Sequence, residues 1–446
     1  MQIVDTALAQ RAAAGQPVIL GVFGAGFMAR GLVNQVQRYM PGLRIGVVCN
    51  RTIAAARAAL IDAGTSRHDI VEATSAEAAN AAIEAGKVAI TDDPAVLCGA
   101  GRVEVAIEAT GHVAYGARVT TLAIDHGLSM VLMNAELDAT VGPILKRRAD
   151  EAGVLLTGCD GDQPGVQMNL YRFVTSIGLI PRVCGNIKGL QDRYRTPTTQ
   201  AAFARQWGQT PSMVTSFADG TKISFEQAIV ANATGMKVAQ RGMIGLEHRG
   251  HVDEMTGWYD LDQLRELGGI VDYVVGPKPG PGVFIFAEAR DDTQKHYLNY
   301  GKLGEGPLYS FYVPYHLTVF EVPVSAARVV LNRDTVIAPL AGPVVDVIAV
   351  AKRDLKAGET VDGLGGYMTY GVCDNHDSVR RDRLLPMGLA EGCVLTRDVD
   401  QDTVLTLDDV VLPADSLTVQ LRAAQDDTFS PQHGPPPCGC CSPDRT

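Results

Sequence analysis

The stretch Val18-Ile-Leu-Gly-Val-Phe-Gly-Ala-Gly-Phe-Met-Ala-Arg-Gly31 constrains the fold of this chain more than any other. Val18 to Phe23 is an apolar run long enough for one buried strand. It breaks on Gly24-Ala-Gly26-Phe27-Met28-Ala29, and a helix-length segment follows from Arg30. Strand, glycine turn and helix, with G-x-G-x-x-A spacing, form a dinucleotide fingerprint. Gly24 permits the tight turn. Gly26 has no Cβ, so a pyrophosphate can approach the backbone, and Ala29 lets the helix lie close to the strand. The helix N-terminus would then face the phosphates with unbonded N–H groups and a positive dipole end.

A glycine turn alone is a weak signal, and its context strengthens it. A second apolar strand, Arg44 to Asn50, follows at the distance a βαβ unit requires. Its end is where an NAD enzyme places an acidic residue for the ribose hydroxyls. Here the chain reads Asn50-Arg51-Thr52, which suits a 2′-phosphate and favours NADP, with NAD as the alternative. Thr52 to Lys87 reads as helical, Val88 to Thr91 as a strand, Val103 to Gly111 as a strand, Ala114 to His126 as a helix and Ser129 to Asn134 as a strand. Such alternation predicts an α/β fold with a doubly wound parallel Rossmann sheet, its ligands beyond the carboxyl strand ends. Those ends make Gly24, Gly26, Phe27, Met28, Asn50, Arg51, Thr110, Gly111, Asn134 and Glu136 the candidate cofactor-binding residues.

A chain of 446 residues exceeds one ordinary core. The pattern divides it into a nucleotide-binding domain over 1–155, an α+β catalytic and dimerisation domain over 156–335, a small β-rich domain over 336–424 and a disordered tail over 425–446. The Val166–Ala326 region contains a strand-like segment Arg182–Lys188, a helix Phe225–Gln240 and a Gly/Pro-rich hairpin at 276–282. A net charge of −11 without a long Lys/Arg run argues against a nucleic-acid partner. No apolar stretch is long enough to span a membrane. The N-terminal residues lack the pattern of a signal peptide, and six scattered single cysteines read as reduced thiols, so a cytoplasmic protein is expected. The expected partners are a small-molecule substrate and further copies of the chain, as a dimer or tetramer.

Four constellations carry candidate chemistry. Asp160-Gly-Asp162 could hold a hard divalent cation, Mg²⁺ or Mn²⁺, or form an exposed turn. Lys188, Asp192, Arg193 and Arg195 cluster after a strand. There a Lys can carry a proton, with Asp192 beside it, and the arginines can bind an anion. Lys222, Ser224 and Asn232 open a helix and suit an anionic substrate end, with Thr221 or Ser224 capping and Glu226 in the first turn as the structural alternative. His248-Arg-Gly-His251 reads as a surface loop, and Cys438-Gly-Cys440-Cys441 as an exposed reactive tail.

Gly24-x-Gly26, Ala109-Thr-Gly111 and Asn134-Ala-Glu136, taken in order, resemble the nucleotide half of the homoserine dehydrogenase superfamily. Gly185-Asn-Ile-Lys-Gly-Leu-Gln-Asp192, Ser216 to Glu226, Pro314-Tyr-His-Leu317, Lys356 to Thr360 and Leu385 to Gly392 resemble its relatives with a C-terminal SAF domain. That resemblance implies an SAF module over 336–424 and His316 as a substrate-binding residue. Its best-known members resemble 1-deoxyxylulose 5-phosphate reductoisomerase, which implies NADPH, a divalent cation and a phosphorylated substrate in isoprenoid precursor synthesis. Gly220-Thr-Lys-Ile-Ser224 and Asn232 resemble that enzyme's phosphate site, and Asp160-Gly-Asp162 its metal site. The competing readings are a dehydrogenase of another hydroxy acid or sugar derivative, and a non-enzymatic binding protein of the SAF type.

Overall fold

A computed structural model of the chain describes residues 3–430. Seven strands form one sheet: β1 Val18–Phe23, β2 Leu43–Cys49, β3 Ile70–Glu72, β4 Val88–Thr91, β5 Val105–Glu108, β6 Ser129–Leu132 and β7 Leu156–Gly158. Every pairing is parallel, in the order β3-β4-β2-β1-β5-β6-β7. From β1 the chain sets β2 beside it, β3 at the edge and β4 between those two, then returns to build β5, β6 and β7 outward on the other side. The turn of direction lies between β1 and β5, where doubly wound sheets bind ligands. β1 is buried along its whole length, as its uninterrupted apolar run requires. The region 52–87 is not purely helical. Helices Ile53–Asp62 and Ala76–Glu84 flank β3, whose three residues are too short to interrupt the Ala-rich pattern visibly.

The nucleotide unit is not confined to 1–155. Its last strand, β7, begins at Leu156. Helix Thr318–Ala327 returns to it, with Val322 and Ala326 buried in the same core as Leu20, Ala29 and Leu32.

A second sheet contains β8 Ile180–Lys188, β9 Leu246–Glu247, β10 Ile270–Val275, β11 Gly282–Glu288 and β12 Leu308–Val313, in the order β12-β11-β8-β10-β9. β8 takes the central place. β10 runs parallel to it and β11 antiparallel. The Gly/Pro segment 276–282 is therefore a connection from one side of β8 to the other, not a hairpin turn. Local composition shows the break in the chain and cannot show that a third strand separates the two it joins.

The expected helix at 225–240 runs over Thr221–Thr234, between Gly220 and Gly235, both in the left-handed region. It is buried on nearly all sides. Its residues share one core with Ala135 and Ala139 of the nucleotide unit, Ile285 of β11, and Val345 and Val347. Helices buried all round carry no amphipathic stripe, which is why the sequence pattern misplaced its ends.

The C-terminal region pairs β13 Val345–Ala351 with β14 Thr369–Asn375, and β15 Val394–Leu395 with β16 Val410–Val411. Helix Leu417–Thr428 closes the described chain. Its buried Arg422 pairs with Asp346 of β13 at 2.6 Å, and Leu421 enters the nucleotide-domain core. Residues 425–428, expected in a tail, are thus helical, and the Cys438–Cys441 cluster lies outside the described residues. Among the described residues, no helix is long and apolar enough to cross a membrane.

Candidate active site

Gly24 ends β1 with φ of 110°, and the carbonyl oxygen of Ala109 lies 2.9 Å from where its Cβ would be. Only glycine fits this close approach of the β1 and β5 ends. Gly26 is the N-cap of helix Phe27–Tyr39, and no side chain among the described residues caps that helix. Beyond its own neighbours in the chain, no atom of the described residues lies within 4 Å of its Cβ position. Unbonded N–H groups thus open onto space at the switch point, a cradle that fits a pyrophosphate. Arg51, beyond the end of β2, is exposed and makes no hydrogen bond or ion pair among the described residues. Asn50 turns instead to the Thr52 carbonyl, at 2.9 Å.

Three expected cofactor ligands have their polar atoms occupied within the protein. Thr110 donates its hydroxyl to Glu108. Asn134 accepts from the N–H of Leu137 at 3.1 Å, capping helix Ala135–Glu151, and donates to the His112 carbonyl at 3.2 Å. Glu136 is buried and pairs with Lys222 at 3.1 Å. They follow the carboxyl ends of β5 and β6 and form a wall on that side of the sheet. Glu108 lies behind them, fully buried, its carboxyl pushed up to about 7 by loss of solvent.

The Glu136–Lys222 pair joins this wall to the second domain. Around Lys222 stand Asp162 and Glu226, and around Glu226 stand Asp162, Lys222, Lys188 and Glu136. His316 faces Asp162 and Lys188. Asp162 follows β7, Lys188 ends β8, and Lys222 and Glu226 lie one helical turn apart on the helix Thr221–Thr234. Asn186 fixes Glu226 from below, donating to it at 2.9 Å and to Gln163 at 2.6 Å while accepting from Gln167.

Burial shifts these groups toward neutrality. The Glu226 carboxyl is pushed up to about 8, first by desolvation and then by Asp162. Lys188 is lowered by desolvation, with Glu226 opposing, and among the described residues its ammonium has one acceptor, the Phe217 carbonyl at 3.3 Å. His316 is lowered by burial, and its buried Nδ1 has no hydrogen-bond partner among the described residues. Lys222 is raised, because Glu136, Asp162 and Glu226 outweigh its burial. An amine made easier to deprotonate and a carboxyl made harder to ionise form a candidate acid–base pair.

Several of the expected site residues are engaged within the protein. Asp160 does not stand beside Asp162 as a chelating partner. It accepts from Arg328 at 2.8 Å, Asn169 at 2.7 Å and Ser325 at 3.1 Å, in a buried ion pair. Ser224 donates to the carbonyls of Gly220 and Gly371, so its hydroxyl closes the helix start against β14. Asn232 accepts from the N–H groups of Val344 and Val345 and ties down the start of β13. Asp192 pairs with Arg195 at 2.9 Å. Arg193 stands over the ring of Tyr370, 5.6 Å from its centroid. Short polar side chains next to a helix start serve its backbone as readily as a ligand, and sequence cannot separate the two uses.

Glu226, Asn186 and Gln163 were not among the expected site residues. Two spacings point to the first two, and no local signal points to Gln163. Glu226 is four residues after Lys222, hence on the same helix face, and Asn186 is two before Lys188, hence on the same side of the strand.

Residues 161–322 match the family model of the oxidoreductase DRL catalytic domain. The match begins just before Asp162 and takes in Lys188, Lys222, Glu226 and His316. No curated protein matches the chain. Among solved structures, scyllo-inositol dehydrogenase from Lactobacillus casei, with bound NAD(H) and scyllo-inositol, is 9% identical with a TM-score of 0.42; the alignment covers 72% of this chain and 92% of that one. An oxidoreductase from Agrobacterium radiobacter, in complex with NAD+, L-tartaric acid and magnesium, is 16% identical with a TM-score of 0.29, covering 42% and 48%. Myo-inositol dehydrogenase from Lactobacillus casei, in complex with NAD(H) and myo-inositol, is 14% identical with a TM-score of 0.30, covering 41% and 50%. The chain thus spans about half the length of the last two.

Proposed function

We propose that the protein is a nicotinamide-dependent oxidoreductase that interconverts a hydroxyl and a carbonyl on a small anionic substrate. The observation that carries this reading is the convergence of Lys188, Glu226, Asp162, Lys222 and His316 beside the carboxyl edge of a doubly wound sheet with an open glycine cradle. The match of residues 161–322 to an oxidoreductase catalytic domain supports it. NADP(H) is the preferred cofactor, because Arg51 offers an exposed guanidinium where the ribose of the adenosine would lie.

The nicotinamide, when bound, supplies or accepts the hydride. Lys188 holds the proton for the substrate oxygen, and its lowered basicity makes that proton easier to give up. Glu226 exchanges protons with Lys188. Lys222, fixed by Glu136, supplies the positive charge that stabilises an oxyanion or the anionic end of the substrate. His316 borders the same space. We further propose a homo-oligomer in the cytoplasm.

The Asp160–Asp162 pair does not fit a divalent cation, because both Asp160 oxygens are engaged by protein donors. That favours plain hydride transfer over the reductoisomerase reaction.

Isothermal titration with NADP+ and NAD+ tests the cofactor. NADPH oxidation against deoxyxylulose phosphate, aspartate semialdehyde and a panel of sugar phosphates, with and without EDTA, tests the reaction. Failure to bind either nucleotide overturns the reading. EDTA-sensitive turnover of deoxyxylulose phosphate would replace plain hydride transfer with the reductoisomerase reaction.

A further inference from the structure

Residues 189–221 run from Lys188, at the end of β8, to Lys222, in the first turn of helix Thr221–Thr234. This excursion carries helices Pro197–Trp207 and Pro211–Asp219. Its two ends lie against each other. The Asp192 N–H donates to the Ala218 carbonyl at 2.8 Å, and the Lys188 ammonium to the adjacent Phe217 carbonyl at 3.3 Å. Asp219 Oδ1 accepts from the Thr221 N–H at 2.9 Å and so closes the turn into the helix that holds Lys222. The charge of Asp219 also acts on Lys188.

Asp219 is 1% exposed, and its other oxygen, Oδ2, accepts from Lys352 at 2.8 Å. Lys352 directly follows β13 in the C-terminal region and is itself 4% exposed. Its ammonium also donates to the carbonyls of Arg195 and Gly366, each at 2.9 Å. An ammonium has three donors, and each has an acceptor here. Arg195 and Asp219 belong to the two ends of the excursion, and Gly366 to the loop between β13 and β14. Beside Gly366, the Cβ position of Gly365 lies 2.0 Å from the Ser212 carbonyl oxygen, so this loop and helix Pro211–Asp219 meet backbone to backbone. From the same helix Met213 reaches the end of β5, its Cε 3.6 Å from the Cβ position of Gly111.

We propose that Lys352 is a positioning residue for the acid–base cluster: it ties both ends of the excursion to the C-terminal β region and thereby fixes Lys188 relative to Lys222. Burying a cation is costly unless its partners are well placed, and these partners sit at the junction of the elements that carry the two lysines. The C-terminal region is then a structural part of the active site, not a separate binding element. The catalytic consequence rests on the function proposed above; the clamp itself does not.

The test uses the full-length parent, Lys352→Met, and Lys352→Met combined with Asp219→Asn. Met keeps most of the stem and loses the ammonium. The double variant removes both charges while its amide oxygen still accepts from Thr221, so it serves if the single variant, with a bare buried carboxylate, does not fold. Hydrogen exchange read by mass spectrometry needs no substrate. In the variants, residues 189–196 and 217–224 should both exchange roughly tenfold faster or more, with 18–49 unchanged. On the substrate that the panel identifies, kcat should fall roughly tenfold or more while KM and nucleotide affinity barely move. Lys188→Ala, added to the variant that folds, should then cost clearly less than it does in the parent, because the clamp acts through Lys188. A loss of stability alone would leave the two effects additive. Additive losses in kcat, or exchange that rises at one end of the excursion only or at neither, overturn the proposal. A parent that turns over no substrate counts against the proposed function alone, and exchange at the two ends then decides the clamp.

Discussion

Glu226→Gln isolates the cost of keeping a carboxyl inside the cluster. Glu226 is buried and its folded-state pKa is about 8, against 4.5 for the free group. Between those values the folded protein keeps a proton that the unfolded chain has released. The shift is upward, so its stabilising contribution is complete below pH 4.5 and is lost as pH rises to about 8. Each pH unit in that window removes up to about 1.4 kcal/mol, on the order of 5 kcal/mol across it. Gln has the same shape, still accepts from Asn186, and does not ionise. Glu108 and Asp138, both pushed up to about 7, drift equally in parent and variant, so their effect cancels in the difference. Urea unfolding of both proteins from pH 4.5 to 9 measures that difference. The variant should gain on the parent steadily above pH 5 and level off near pH 8. Parallel stability curves would refute the assignment of a raised pKa to Glu226.

Lys188→Ala should lower kcat by about a hundredfold while nucleotide affinity barely moves, the pattern of an interaction made in the transition state; near-normal turnover on the true substrate would remove Lys188 from the chemistry. Arg51→Ala should weaken NADP+ binding about tenfold or more and leave NAD+ unchanged by titration, and an equal loss for both would show that Arg51 does not read the 2′-phosphate. Arg328→Met strips Asp160 of its buried partner and should cost about 3–5 kcal/mol in urea unfolding, whereas EDTA should leave parent stability untouched. A small cost for Arg328→Met together with EDTA sensitivity would restore Asp160 as a metal ligand.

What the sequence determined by itself is the nucleotide half. A buried strand, a glycine turn and a helix follow from local apolar runs and from the steric freedom of Gly24 and Gly26. These are short-range properties, and the positions of β1, β2 and β4 follow the sequence reading closely. Lys188 and Lys222 were also legible, as cations at a strand end and a helix start. What only the tertiary structure decided is which polar groups remain available. Asp160 and Asp162 look equivalent in the chain, yet Arg328, 168 residues away, occupies one and leaves the other facing the cluster. Ser224 and Asn232 are captured by backbone groups of residues 344, 345 and 371, which no local pattern foretells. Glu226 looked like an ordinary first-turn acid. Its chemistry comes from burial among Asp162, Lys188 and Lys222, brought together by three elements far apart in sequence. Desolvation and pairing belong to the assembled fold, so a reading of residues can nominate a charged side chain but cannot say whether it is satisfied.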